Sequence, residues 1–281
     1  MLFSLKQEAP ASIGGRTFTS KHNHCLSYRS QCVNNNIRVV GDRIQLPKIG
    51  RVKIKLSREV VGKISNVTVT RIASGKYYMS LCVTYEADAF SNAGGQLGID
   101  VGLKEFYSDS NGNTVANPRT LRKLSRKLAR EQRKLSRKMP RSRRRDKQRI
   151  RVARVHEHIT NIRQDFLHKL STKLVHENKT IAIEDLKVKN MMKNHKLAKA
   201  IADVSWSEFF RMLEYKATLY GSEVIRIPTF YPSSQTCHEC GYQNPITKDL
   251  SVREWDCPKC GHHCDRDVNA AQNILAVALF S

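Results

Sequence analysis

Residues 257–274 read Cys-Pro-Lys-Cys-Gly-His-His-Cys-Asp-Arg-Asp-Val-Asn-Ala-Ala-Gln-Asn-Ile, the most informative stretch of the chain. It opens with a cysteine pair, Cys257 and Cys260, followed by a glycine, and it ends in a helical pattern. Two acidic residues, Asp265 and Asp267, stand where that helix is predicted to begin. The stretch therefore joins a metal-binding knuckle directly to a helix that carries candidate catalytic carboxylates.

A second cysteine pair precedes the first with 16 residues between them, and it is also followed by a glycine. This spacing is typical of a four-thiolate zinc site, and a structural zinc ion needs four ligands in a closed tetrahedron. A redox role is disfavoured because the two pairs are matched. We predict a zinc ribbon over residues 231–264 with the ligands Cys237, Cys240, Cys257 and Cys260. Substitute ligands remain open among the neighbours His238, His262, His263 and Cys264, whereas Cys25, Cys32 and Cys82 are interpreted as ordinary residues.

The charge of the chain indicates its class of partner. Its 281 residues contain 49 Lys and Arg against 25 Asp and Glu, a formal net charge of +24. Such a charge favours a polyanion, because binding releases counterions, with anionic membrane surfaces and ribosomes as alternatives. No apolar run approaches the roughly 20 residues that span a bilayer, and the start does not resemble a signal peptide. We therefore expect a cytoplasmic, nucleoid-associated protein without a membrane partner, whose cysteines are not disulfides.

Most of this charge is concentrated in residues 119–154, which contain 18 Lys and Arg and two acids. Leucines repeat there at helical spacing, and Pro140 interrupts the pattern, which predicts two long helices. Such a density of positive charge favours a bound anion, and the alternative is a solvated amphipathic face. The predicted nucleic-acid-binding residues are Arg122, Lys123, Arg126, Lys127, Arg130, Arg133, Arg143, Arg144 and Arg145.

The remaining patterns predict an α/β protein of several parts. Short β-branched strands with close turns indicate a partial β-barrel, and three later strands with a hairpin are typical of the start of a ribonuclease-H-like sheet. The first five residues are too short for a convincing strand. The predicted parts are an irregular segment over 1–36, the barrel over 37–90, a core over 96–230 and 265–281 that includes basic helices 119–176, and the ribbon over 231–264.

Three acidic residues occupy places where a nuclease would need them. Asp100 ends one predicted strand, Glu184 ends another, and Asp267 opens the last helix. Cleavage with two metal ions requires converging carboxylates, and magnesium prefers such oxygen ligands. Asp185 and Asp265 are neighbouring acids, and Asp267 could instead cap its helix, so spacing alone leaves the choice open.

From Gln96 onward the sequence resembles the TnpB family, the transposon-encoded RNA-guided DNA nucleases related to the compact type V CRISPR effectors. The residues that carry this resemblance are Gly98-Ile-Asp-Val-Gly102, Ile181-Ala-Ile-Glu-Asp-Leu186, Ser205-Trp206, Pro232-Ser-Ser-Gln-Thr-Cys237, Cys260-Gly261 and Asp265-Arg-Asp-Val-Asn-Ala-Ala-Gln-Asn-Ile274. Residues 37–86 resemble the later part of the family's wedge barrel.

The resemblance implies a RuvC-like (ribonuclease-H-like) nuclease core with an inserted zinc ribbon, preceded by a small partial β-barrel. It implies catalytic Asp100, Glu184 and Asp267 holding Mg²⁺ or Mn²⁺, a structural Zn²⁺, and guide RNA and DNA as partners. Basic helices 119–154 would face the guide–target heteroduplex, which protein recognises by backbone and shape. Cys264 departs from the histidine that is frequent at its position.

The family's first barrel strand and helical recognition domain are not visible, so the chain is interpreted as an N-terminally truncated form impaired in guided double-strand cleavage. The alternatives are a non-cleaving nucleic-acid-binding protein or repressor and a strand-joining transposase. The sequence does not give the oligomeric state. Phe209, Phe210, Tyr231 and Trp255 are candidates for stacking on bases, with the two phenylalanines favoured as core residues.

Overall fold

The computed structural model describes residues 2–5, 26–86, 93–229, 231–249 and 251–280. The architecture is mixed α/β, as the sequence predicts. In the described ranges, no helix combines the length and the apolar character needed to cross a membrane. The chain divides into two compact units, here called the first unit (Met1–Asp88 with Ser125–His158) and the second unit (Ala89–Leu124 with Ile159–Ser281).

The first unit contains a seven-stranded antiparallel sheet in the order β2-β6-β7-β1-β5-β4-β3. Its core is formed by apolar side chains such as Ile44, Val67 and Met79, all fully buried. The closure of this sheet into a barrel stays a prediction. The strands are β1 (Leu2–Leu5), β2 (Leu26–Gln31), β3 (Arg38–Val40), β4 (Arg43–Leu46), β5 (Gly50–Lys55), β6 (Lys63–Arg71) and β7 (Tyr77–Thr84).

The prediction that residues 1–36 are irregular was wrong for β1 and β2. Strand β1 pairs with β7 on one side, with Phe3 opposite Met79, and with β5 on the other, with Ser4 opposite Lys55. Neighbours on both sides satisfy the backbone of a strand that is too short to be recognised from its own sequence. Residues 6–25, which the same prediction covers, lie outside the described residues.

Two long helices, α1 (Thr120–Ser136) and α2 (Arg143–Glu177), form the predicted basic pair. Their residues 125–158 group with the first unit, which differs from the predicted assignment of residues 119–176 to the core. Within the first unit, Glu157 of α2 accepts hydrogen bonds from Lys76 Nζ at 3.0 Å and Tyr78 Oη at 2.5 Å. These contacts attach α2 to strand β7.

The second unit contains a five-stranded sheet in the order β10-β9-β8-β11-β12. The first three strands are antiparallel, whereas β8, β11 and β12 are parallel. A small two-stranded sheet, β13 with β14, lies in the cysteine-rich segment. The strands are β8 (Gly95–Val101), β9 (Glu105–Asp109), β10 (Thr114–Ala116), β11 (Asn178–Glu184), β12 (Glu223–Ile227), β13 (Glu254–Asp256) and β14 (His263–Asp265). The helices are α3 (Val188–Met191), α4 (His195–Val204), α5 (Trp206–Tyr220) and α6 (Arg266–Phe280), with a 3-10 helix at Pro245–Lys248.

Aromatic side chains fill the core of the second unit. The ring of Phe106 packs edge-on against Phe166 and Phe209, with both centroid distances 5.0 Å. Phe209 and Phe210 are buried, so they are core residues, as the sequence favoured, and are not available to stack on bases. Trp255 is also buried, in the small core around the cysteines.

Helix α6 packs against strand β8 at a glycine. A Cβ atom added at Gly98 would lie 2.0 Å from the carbonyl oxygen of Ala271 and 2.8 Å from Cβ of Leu275. Any larger residue would force the helix away from the sheet, because a backbone carbonyl cannot yield as a flexible side chain can. The glycine therefore allows the middle of α6 to pack closely on the middle of β8.

Candidate functional site

The ends of two parallel strands bring the first two predicted catalytic residues together. Ile99 of β8 pairs with Ile183 of β11. Because the strands run in the same direction, the next residues, Asp100 and Glu184, stand side by side at the carboxyl edge of the sheet. Both side chains are half-buried. Backbone hydrogen bonding thus fixes the relative position of these two acids.

Asp267, on the first turn of α6, completes the group. Helix α6 packs closely on Gly98 of β8, the strand that also carries Asp100. The negative charge of Asp267 acts on Asp100. Burial raises the pKa of Asp100 well above its usual value, and the charges of Glu184 and Asp267 raise it further. Desolvation also raises the pKa of Glu184, against the lowering effect of a hydrogen bond from Ser233. A buried acid whose ionisation is opposed by two neighbouring carboxylates fits a place for divalent cations.

The neighbouring acids that the sequence left open have other contacts. Asp185 forms ion pairs with Lys187 and with Arg226, the latter at 3.3 Å, and its side chain also accepts from Thr229 at 3.4 Å. The hydrogen bond from Lys187 lowers the pKa of Asp185. Oδ1 of Asp265 accepts the N–H groups of Asp267 and Val268, both at 3.0 Å, so Asp265 is the residue that caps α6.

All four predicted zinc ligands are brought together by the two knuckles. The Sγ atoms of Cys237, Cys240, Cys257 and Cys260 lie within 4.8 Å of one another, a group that could hold a metal ion. Two of the separations are 3.8 Å, between Cys237 and Cys260, and 3.5 Å, between Cys240 and Cys257. Tetrahedral zinc with bonds of about 2.3 Å would place its sulfurs about 3.8 Å apart. The separations therefore fit a four-coordinate ion.

Each knuckle is closed by its glycine. The N–H of Gly241 donates to the carbonyl of Cys237 at 2.9 Å, and that of Gly261 to Cys257 at 2.8 Å. Both glycines have a positive φ, 73° and 74°, which a residue with a Cβ rarely adopts. Although desolvation opposes ionisation, hydrogen bonds from the backbone of Cys260 and Lys259 bring the pKa of the Cys257 thiol down to about 7. For the Cys260 thiol, a backbone hydrogen bond from His262 lowers the pKa, but desolvation and the neighbouring thiols outweigh it and raise the pKa to about 12. A metal ligand requires the thiolate form, so the two thiols differ in how readily they reach it.

Cys264, one of the candidate substitute ligands, is a buried thiol beside this group. Burial, together with the nearby thiol of Cys237, raises its pKa to about 12. Its Sγ contacts the carbonyl of His262 at 3.8 Å. In the part of the chain that the structure describes, the group of four closely spaced sulfurs does not include Cys264.

The predicted nucleic-acid-binding residues are mostly exposed on α1 and α2. Arg145 is the exception: it is half-buried and donates to the carbonyls of Leu135 at 3.3 Å and Lys138 at 3.1 Å. It therefore satisfies carbonyl groups at the end of α1, as a basic side chain at a helix C-terminus does. The exposed members are Arg122, Lys123, Arg126, Lys127, Arg130, Arg133, Arg143 and Arg144.

An open groove of about 340 Å³ lies between α1 and α2 within the first unit. Glu131, which lines this groove, accepts hydrogen bonds from the buried Gln148, at its carboxylate at 2.8 Å and at its carbonyl at 3.1 Å. This buried pair fixes the position of one helix against the other. The groove lining is strongly basic and consists of Lys127, Glu131, Lys134, Arg151, Arg154, Val155 and His158. We name it the hairpin groove.

Comparison with known proteins identifies the family. Residues 80–195 match the family OrfB_IS605, described as "Probable transposase", and residues 206–274 match "Cas12f1-like, TNB domain". The chain is 46% identical over 215 residues to a "Putative RNA-guided DNA endonuclease" of Streptomyces pristinaespiralis, covering 76% of this chain and 53% of that protein. It is 36% identical over 250 residues to "Putative RNA-guided DNA endonuclease InsQ" of Escherichia coli K12, covering 83% and 61%. A "TnpB-like protein L79" of Acanthamoeba polyphaga mimivirus is 29% identical over 197 residues, covering 65% and 37%.

The chain belongs to the TnpB family. It spans about half to three fifths of the length of the first two relatives. The two family matches divide the TnpB motifs between them: the first contains Asp100 and Glu184, and the second contains the four cysteines and Asp267.

Several residues around the TnpB motifs were missed by the sequence analysis. Arg253 Nη1 lies 3.3 Å from both carboxylate oxygens of Asp267. The buried Arg266 donates to the carbonyl of Asp249 at 3.1 Å, and its positive charge offsets part of the rise in the pKa of Asp100. Ser233 donates to Glu184 Oε1 at 2.5 Å. Arginine and serine are frequent in any sequence, so only their contacts distinguish these residues.

The TnpB resemblance predicts that the basic helices face nucleic acid. It does not tell which of their lysines and arginines lie next to one another. Of the nine residues predicted for this role, Lys127 lines the hairpin groove. The groove is also lined by Lys134, Arg151, Arg154 and His158, which were not among the nine. Helical periodicity gives the face of each helix on which these residues lie, but it does not give the alignment of α1 with α2 that Glu131 and Gln148 set.

Proposed function

We propose that this chain is a TnpB-type, transposon-associated, RNA-guided DNA endonuclease that hydrolyses phosphodiesters with divalent metal ions. Asp100, Glu184 and Asp267 are the proposed catalytic ligands of Mg²⁺ or Mn²⁺. The observation that carries the proposal is the parallel pairing of Ile99 with Ile183, which sets Asp100 beside Glu184. A lone acid at a strand end has many uses, but two adjacent acids with a third from a distant helix are suited to metal binding.

The fold supports this assignment. Three antiparallel strands followed by two parallel strands, in the order β10-β9-β8-β11-β12, favour a ribonuclease-H-like core. Helix α6 follows the cysteine-rich segment directly and returns to the first strand of that core at Gly98. We assign residues 231–264 to a zinc ribbon inserted before the last nuclease motif. We assign the seven-stranded sheet of the first unit, in which β1 and β2 join the strands of residues 37–90, to a partial wedge-like barrel.

The site residues have separate chemical roles. When bound, divalent ions would stabilise the attacking and leaving oxygens of the phosphodiester. Asp100, Glu184 and Asp267 supply the negative charge that holds such ions, and the burial of Asp100 lowers the local dielectric in which that charge acts. Ser233 orients Glu184 by donating to one of its two carboxylate oxygens. Arg253 and Arg266 offset part of the negative charge of the group.

The four cysteines are proposed to hold a structural zinc ion. Four thiol ligands close the coordination shell, so this ion would contribute to folding and not to cleavage. Thiolates also select zinc over the magnesium that the carboxylates would take.

The partners are proposed to be a guide RNA and DNA, since two relatives carry the name RNA-guided DNA endonuclease. The net charge of +24 and the basic lining of the hairpin groove support a nucleic-acid partner. Lysine and arginine can bind a heteroduplex through its phosphates without reading its bases.

The experiment measures Mg²⁺-dependent cleavage of single-stranded DNA by the purified chain, together with sequencing of RNA that copurifies with it. Asp100→Asn, Glu184→Gln and Asp267→Asn should each lose cleavage and keep binding. Binding without any cleavage by the wild type would instead identify a non-cleaving binder, and joined strands would identify a transposase.

A further inference from the structure

The segment between β12 and the first cysteine pair contacts two parts of the proposed active site at once. Ser233, which is 6% exposed, donates its hydroxyl to Glu184 Oε1 at 2.5 Å. The backbone carbonyl of the same residue accepts a hydrogen bond from Nδ2 of Asn273 at 2.8 Å. One buried serine therefore links the carboxylate on β11 to helix α6, which carries Asp267.

Two asparagines on α6 hold the other end of this segment. Nδ2 of Asn269 and Nδ2 of Asn273 both donate to the carbonyl of Thr236, at 2.7 and 2.6 Å. Oδ1 of Asn269 accepts the N–H of His238 at 2.9 Å. The asparagines are four residues apart, so they lie on one face of the helix, and both are buried. Between Thr236 and His238 stands Cys237, one of the four grouped thiols.

We propose that residues 232–238 are a positioning device through which metal binding at the cysteines stabilises the carboxylate site. In this device Ser233 orients Glu184. The side chains of Asn269 and Asn273 connect the first knuckle to α6, the helix that also carries Asp267. The inference rests on the proposed function and assigns roles to these three residues within it.

The physical argument concerns what holds the segment in place. A metal ion bound at Cys237 closes the first knuckle, and such a knuckle loses its fold when the ion is removed. The backbone groups of Thr236 and His238 would then no longer be held in position for their hydrogen bonds with Asn269 and Asn273. Ser233 lies three residues before Thr236, so its contact with Glu184 depends on the same anchor.

The Ser233 contact leaves Glu184 ready for a ligand role. A hydrogen bond to a carboxylate is short and strong, and this one involves one of the two oxygens. The bond fixes the side-chain rotamer, and the other oxygen remains for a cation. Removing a partner that orients a metal ligand typically weakens metal affinity by about 10- to 100-fold.

The first test measures Mn²⁺ binding to the zinc-loaded full chain by electron paramagnetic resonance. Ser233→Ala should weaken Mn²⁺ binding by about 10-fold, and Ser233→Thr, which keeps the hydroxyl, should restore most of it. The matched control is Ser234→Ala, the adjacent serine, which should bind as the wild type does. Equal Mn²⁺ affinity in wild type and Ser233→Ala would overturn the inference.

The same titration separates this inference from the proposed function. If wild-type binding of Mn²⁺ is unchanged by Glu184→Gln, the carboxylates are not the metal site and the proposed function fails. If Glu184→Gln removes Mn²⁺ binding while Ser233→Ala does not weaken it, the proposed function stands and the positioning role of Ser233 fails.

The second test uses the reciprocity of coupled binding sites. Zinc affinity is measured by equilibrium competition with a chromogenic chelator, with and without Mg²⁺. In the wild type, Mg²⁺ should raise zinc affinity several-fold, and in Ser233→Ala this effect should be smaller although zinc remains bound at one equivalent. A Mg²⁺ effect that persists unchanged in Ser233→Ala would show that the two sites do not communicate through this residue.

Discussion

The carboxylate of Asp265 accepts the backbone N–H of Asp267 at 3.0 Å, so the first acid of the motif caps the helix that carries the second. Two residues with the same side chain therefore have different functions. A capping carboxylate is occupied by backbone N–H groups, whereas Asp267 faces Arg253 and influences the pKa of Asp100. Asp267 is thus the member of the pair that is free of the capping role.

Substitution of these acids should separate the two functions. We expect Asp267→Asn to lower Mg²⁺-dependent cleavage by at least about a thousandfold, because a metal ligand is lost. Asp265→Asn should keep most activity, since asparagine also caps helices well. Cleavage rates at saturating Mg²⁺ measure both, and the opposite ranking would show that Asp265 is the metal ligand.

The strand pair offers a second matched comparison. Glu184→Gln should abolish cleavage, whereas Asp185→Asn should keep it, because Asp185 is engaged by Lys187 and Arg226. Combining Asp100→Asn with Glu184→Gln should cost little more than either change alone, since residues that act as one unit are not additive. Full additivity would indicate that the two acids act independently.

The cysteine group should bind one zinc ion per chain. Cys237→Ser or Cys257→Ser should remove zinc and lower the melting temperature, because binding energy at such a site is folding energy. Cys264→Ser is the control: it changes a buried thiol outside the group of four and should retain zinc. Metal content is measured by mass spectrometry. Loss of zinc in Cys264→Ser with retention in Cys257→Ser would contradict the ligand assignment.

The hairpin groove should contribute strongly to nucleic-acid affinity. Each phosphate contact with duplex DNA adds about 0.9 to the slope of log affinity against log salt. Replacing Lys134, Arg151 and Arg154 with Gln should reduce that slope by about two to three. The control set Lys169, Lys173 and Lys179, changed to Gln, removes the same charge from exposed positions elsewhere. An equal reduction in both sets would mean that only total charge matters.

Lys216 should make stability depend on pH. The side chain is buried and donates to the His168 carbonyl, Ser171 Oγ and Thr172 Oγ1 at 2.7–2.8 Å. Desolvation lowers the pKa of Lys216 to about 8, below the roughly 10.4 of an unfolded chain. Between these values the unfolded state binds more protons, so stability should rise with pH, by on the order of 2 kcal/mol from pH 8 to pH 10.

Denaturant unfolding across this pH range measures the effect. The rise is assigned to Lys216 as the difference between wild type and Lys216→Met, which cannot titrate. Lys169→Met, at a position 76% exposed, is the control and should behave as the wild type does. A rise that is the same in all three proteins would assign it to other groups.

Most of the helices and strands, and the grouping of the four cysteines, could be predicted from the sequence. The cysteine spacing predicted a metal group, and the strands that end at Asp100 and Glu184 and the final helix were recognised, because these signals are local periodicities and spacings. The roles of neighbouring residues depended on partners far along the chain. Asp185 forms an ion pair with Arg226, and Ser233 donates a hydrogen bond to Glu184. Neither contact can be recognised from a pattern in the sequence.

Tertiary structure alone decided the rest. Strand β1 has only four residues, and it is stabilised by pairing with β5 and β7. The hairpin groove exists because Glu131 and Gln148 align two helices, so which cations face each other depends on that register. A local sequence specifies which residues are present and which element they form. The distance between two side chains is set by the packing of elements, and that distance decides what each side chain can do.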